Sequence, residues 1–106
     1  MKSVLATFVA TVGLTLAGSA LAVDMPAAGQ QKCGSCHAVD HKLVGPAFKD
    51  VAAKYKGKKD AVALLTTSIK TGGAFGWKAG SMPPRGLGAS DADIDTMAKF
   101  IAGLAK

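Results

Sequence analysis

The residues best suited to chemistry stand together in Cys33-Gly34-Ser35-Cys36-His37. Thiols three positions apart lie on nearly one face of a helical turn, and an imidazole follows at once. This is the C-x-x-C-H pattern of covalent c-type haem attachment. The spacing has a direct reason. The two thiols reach vinyl groups on neighbouring pyrroles, and His37 aims its ring at the iron from the same side. Three other readings use the same residues. A redox-active C-x-x-C expects a βαβ setting, and no strand pattern occurs in this chain. A zinc site needs a second ligand pair beyond two Cys and one His. A plain disulfide between Cys33 and Cys36 is the third. A secretory-signal pattern at 1–22 and the rest of the chain favour haem.

Haem iron in c-type carriers is commonly held by His on one side and Met on the other. Four Met are present. Met1 belongs to the extreme N-terminus. Met25 precedes Cys33 by eight residues and stays near the attachment side. Met97 falls on the apolar stripe of a helix, where a Met is ordinarily core. Met82 lies in a Gly/Pro-rich loop, 45 residues beyond His37, and Pro83-Pro84 stiffen the chain behind it. A loop can carry Met82 to the far face of the ring, so Met82 is the expected second ligand. His41, four residues past His37, stays on the attachment side and reads as a surface histidine.

Helices must position these groups. Met25 to Lys32 suits a short helix with Pro26 in its first turn, running into the cysteine motif. Ala47 to Tyr55 reads as a second, with Phe48, Val51, Ala52 and Tyr55 at i, i+3, i+4 and i+7. Gly57 closes it. Asp60 is the expected N-cap of a third helix, which carries Ala61, Leu64, Leu65, Ser68 and Ile69 at helical spacing and ends at Gly72-Gly73. A long loop from Gly72 to Ala89 follows, and a loop of that length in a small domain usually has a task. Ser90-Asp91-Ala92-Asp93 resembles a capping box. Ile94, Met97, Ala98, Ile101, Leu104 and Ala105 then form one stripe, with Phe100 at its edge. The expected class is all-α.

The N-terminus has the three parts of a secretory signal: Met1-Lys2, an apolar run from Val4 to Leu16, and small residues Ala20 and Ala22 before the cut. An uncleaved anchor is the alternative. The expected division is a cleaved signal peptide at 1–22 and one domain at 23–106. Removal of Met1–Ala22 leaves 84 of the 106 residues and takes the formal charge from +6 to +5. Such a chain, with four Phe, one Tyr and one Trp before cleavage, is poor in core-forming side chains. An attached macrocycle would complete the core.

The chain resembles the class I monohaem cytochromes c of the small bacterial type, from Asp24 to Lys106. The likeness rests on the cysteine motif, Leu43-Val44-Gly45-Pro46-Ala47, Asp50-Val51-Ala52-Ala53-Lys54-Tyr55, Trp77, Met82-Pro83-Pro84 and Met97-Ala98-Lys99-Phe100-Ile101. It implies about four short helices wrapped around one covalent haem c and its iron. Cys33 and Cys36 would form the thioethers, and His37 and Met82 the axial pair. It implies that the Pro46 carbonyl accepts the proton of the other His37 nitrogen. It also implies that the Trp77 indole N–H meets a haem propionate; simple core packing is the alternative for Trp77. The family often carries an aromatic in the N-terminal helix. Here Met25, Ala28 and Gly29 occupy that region, so Phe100 is expected to press on Gly29 or Ala28.

With both axial positions filled, the expected act is outer-sphere transfer of one electron, with no catalytic residue. Gly34 and Ser35 offer little cover at the haem edge, the expected exit. Lys42, Lys49, Lys54, Lys56, Lys58, Lys59, Lys70, Lys78 and Arg85 would steer the domain toward acidic docking faces. The expected partners are a reductase or oxidase of a respiratory chain. Nucleic acid is not among them, and neither is a stable membrane insertion after cleavage. The expected state is a periplasmic monomer. A haem sensor with open iron and a haem-free thiol module are the rival classes.

Overall fold

A computed structural model describes residues 23–105. The signal-peptide expectation for 1–22 lies outside these residues. Four helices appear in chain order: α1 (Ala27–Lys32), α2 (Phe48–Tyr55), α3 (Ala61–Thr71) and α4 (Asp91–Gly103). No strand forms among the described residues, only isolated bridges pairing His37 with Lys42 and Gly73 with Met82. None of the helices is long and apolar enough to cross a membrane.

The ends follow local chemistry, with two differences from expectation. Pro26 and Ala47 sit just before α1 and α2 rather than inside them. Asp60 precedes α3, but its side chain makes no capping bond; only its carbonyl joins the helix, accepting from Leu64 N–H at 2.9 Å. Gly72 ends α3 at φ 68°, a left-handed conformation that suits glycine. Ser90 closes the expected box: its side chain accepts from Asp93 N–H at 3.1 Å, and Asp93 Oδ2 accepts from Ser90 N–H at 3.0 Å.

Helix α4 packs against each of the other three. Its stripe of Ile94, Met97, Ala98 and Ile101 is buried as the spacing predicts. Phe48 and Ala52 of α2 and Leu65 of α3 meet that stripe, with Val62 and Ile69 alongside. Leu64 turns outward instead. The nearest atoms above Gly29 belong to Met97 and Met25, not to Phe100. A Cβ on Gly29 would come within 2.6 Å of the Met97 sulfur, so the glycine lets α1 approach α4 closely. Phe100 sets its ring edge-on to Phe48, with centroids 6.5 Å apart.

Four of the nine buried apolar residues are alanines. They bring helices together but fill little volume, so apolar space remains between α2, α3 and the long loop.

Candidate functional site

The cysteine motif continues α1 for one further turn. Cys33 N–H bonds to the Gly29 carbonyl at 2.7 Å, and His37 N–H bonds to the Cys33 carbonyl at 2.9 Å. This turn puts Cys33, Cys36 and His37 along one wall. The chain then loops back. Gly45 N–H reaches the Cys36 carbonyl at 2.7 Å, while Phe48 and Lys49 donate to Ala38 and Val39 at 2.9 and 3.0 Å. Two unpaired N–H groups at the start of α2 are thus satisfied by the segment after His37.

His37 is held on three sides. Its Nδ1–H donates to the Pro46 carbonyl at 2.8 Å, which fixes the tautomer because a carbonyl only accepts. This leaves Nε2 with its lone pair free. The ring stacks on Phe48, with centroids 4.9 Å apart and planes 16° from parallel. A Cβ on Gly45 would overlap the imidazole, so this position admits only glycine without displacement. Neither the Phe48 stack nor the Gly45 contact is readable from sequence, because both depend on how the 38–46 loop folds back.

Met82 comes from the long loop after α3. The bridge to Gly73 ties its backbone to the end of α3. Cys36, His37, Pro46, Trp77 and Met82 all line one cavity, together with Tyr55, Leu65, Ile69 and Phe75. Cys33 lines an adjoining space with Cys36, His37 and Met82. The larger space is open toward solvent and lined mainly by apolar side chains, as ligand and cofactor sites usually are. The structure therefore gathers all six residues singled out in the sequence. Of the rival ligands, Met97 is buried on α4 and borders the smaller space but not the larger one, while exposed His41 bonds Asp40 at 2.9 Å.

Both thiols are free. Burial pushes the Cys33 thiol above its ordinary value, and Asp93 and Cys36 add to the rise. Reactive redox thiols are shifted the other way. An apolar slot with two free thiols, an imidazole with one unused lone pair and a thioether on the same cavity fits the donor set of an attached haem.

Comparison with known proteins decides the family. The family model described as Cytochrome c matches residues 17–105. The chain belongs to the cytochrome c family. This cytochrome c is 44% identical to the cytochrome c-552 of Nitrosomonas europaea over 100 residues, which span 94% of each chain. It is 50% identical to the cytochrome c-551 of Pseudomonas denitrificans over 72 residues, covering 68% of this chain and 85% of that one. The crystal structure of wild-type Nitrosomonas europaea cytochrome c552 superposes with a TM-score of 0.66 at 42% identity, over 73% of this chain and 95% of that one. The relatives make it a small class I monohaem cytochrome c with the expected all-α fold. Its cofactor is haem c with iron, and Cys33 and Cys36 fit the attachment motif. As a cytochrome c it is an electron carrier.

Proposed function

We propose that this cytochrome c is a periplasmic one-electron shuttle between respiratory redox proteins, not an enzyme, with His37 and Met82 as the axial ligands. The observation that carries the ligand pair is the placement of both residues on one cavity with the thiols beside them. Bound haem c supplies reversible one-electron iron chemistry. The chain does the rest. Cys33 and Cys36 hold the group covalently. Pro46 orients His37 and makes its free nitrogen a better donor. Met82 presents a neutral thioether, which favours the reduced metal and raises the potential. The apolar wall excludes water. Trp77 lines the cavity, and its indole N–H is a donor that a propionate can meet.

Ser35 is exposed and Gly34 half-buried, so the attachment turn covers the cavity edge thinly. Lys42, Lys49, Lys56, Lys58, Lys59 and Lys78 are exposed and outside ion pairs among the described residues. A +5 domain with that surface suits a brief encounter with an acidic partner face. The N-terminal pattern at 1–22 supports export, with residues 23–106 as the mature monomer.

Carbon monoxide tests the reading. Reduced protein at neutral pH should not bind it, because both axial positions are filled. Ready binding would instead indicate an open-iron sensor.

A further inference from the structure

We propose that Lys54 is a positioning residue that pins the loop wall of the cavity and fixes a positive charge over Trp77. The inference rests on the haem occupying that cavity. Lys54 lies in the last turn of α2. Its Nζ donates to the Phe75 carbonyl at 2.9 Å and stands 4.9 Å from the centre of the Trp77 ring. One cation thus ties α2 to two loop residues that both line the cavity.

The loop needs such a tie. Between Gly73 and Met82 one backbone–backbone bond forms, from Trp77 N–H to the Ala74 carbonyl at 3.1 Å. Phe75 and Lys78 sit at φ 53° and 58°, a region costly for residues with a Cβ. Helices and strands do not hold this segment, so an outside contact must. A charged donor makes the stronger kind of hydrogen bond, and an ammonium over an indole face is attracted by the ring quadrupole. Lys54 takes part in no ion pair with a protein carboxylate among the described residues. A positive charge held at this wall disfavours the more positive, oxidised iron and so raises the potential.

The rival is a lysine that adds only net charge. Lys56, two residues on, supplies the comparison: it is exposed and makes no side-chain hydrogen bond, ion pair or ring contact among the described residues. In the haem-loaded protein, Lys54→Met should lower the reduction potential and speed amide exchange at Trp77 N–H severalfold. Lys54→Arg, which keeps charge, donor and ring contact, should restore both. Lys56→Met should leave the exchange rate unchanged and move the potential less. Equal potential shifts in Lys54→Met and Lys56→Met, with Trp77 exchange unmoved, would overturn the proposal. The ferric sulfur–iron charge-transfer band is read in each sample. Its absence from the unsubstituted protein would overturn the axial-ligand reading itself, which is a separate failure.

Discussion

Gly73 and Met82 exchange two backbone hydrogen bonds, Gly73 N–H to the Met82 carbonyl at 3.0 Å and Met82 N–H to the Gly73 carbonyl at 2.9 Å. The pair closes the loop between them on itself. It also hangs Met82 from the end of α3, which is packed on α4. The backbone at Met82 is therefore tied to the helical core.

Gly72 is the hinge of that arrangement. It has φ 68°, and a Cβ there would overlap the Met82 carbonyl and lie 2.7 Å from the Pro84 nitrogen. Both obstacles are backbone, which cannot swing aside. Gly72→Ala should cost about 1–3 kcal/mol of stability. It should also weaken the ferric sulfur–iron band at temperatures where the unsubstituted protein keeps it. Denaturant unfolding and absorption spectra of the same sample check this.

Gly45→Ala attacks the other ligand. The new methyl would overlap the His37 ring, which Phe48 backs and the Pro46 carbonyl holds. The ring must turn or the 38–46 loop must lift, at a cost of about 1–3 kcal/mol. The haem should stay attached through the two thioethers while the paramagnetic shifts of the His37 ring move. Gly103→Ala is the control, because nothing lies within 4 Å of its Cβ position. It should be neutral or slightly stabilising.

Ser90→Ala removes one half of the box that starts α4. The loss should be about 1 kcal/mol, or ~4–8 °C in Tm for a domain of this size. The haem spectrum should not change, because α4 supplies none of the proposed ligands. Thermal melts followed in the Soret and far-ultraviolet regions test both statements.

The Arg85–Asp91 pair should make stability depend on pH in the acid range. Arg85 donates to Asp91 Oδ1 at 2.8 Å, and Lys70 stands 3.9 Å away. The Arg85 hydrogen bond, then the Lys70 and Arg85 charges, hold the Asp91 carboxyl below its ordinary value. A lowered folded value means that the contribution is complete above the usual carboxylate range. It is lost as pH falls through the lowered value. The group is exposed, so the effect is small and salt-sensitive. Asp91→Asn should be less stable than the unsubstituted protein near neutrality, and the difference should shrink toward strong acid. Denaturation midpoints across pH at low salt measure it.

Much of this was legible in the sequence, for physical reasons. Helical periodicity located α2 and α4 and their buried faces, because a helix packed on one side must repeat its apolar residues at 3.6. The Ser90–Asp93 box was readable because it is local, closed by residues three apart. Asp60 illustrates the limit. It has the right side chain in the right place, yet that side chain makes no capping bond. Contacts set by tertiary approach were not legible. The Phe48 stack on His37, Met97 rather than Phe100 above Gly29, and Lys54 over Trp77 all join residues whose nearness depends on how helices and loops dock. The rarest residues were the most informative, since two Cys, one Trp and a Met before paired prolines have few alternative uses in so small a chain.

The central claim is that Met82 completes the iron coordination begun by His37. The most direct test compares ferric absorption spectra of the unsubstituted protein and Met82→Ala, each with haem covalently attached. The account predicts a sulfur–iron charge-transfer band in the first and its loss in the second, together with a lower reduction potential. An identical band in both proteins would contradict it.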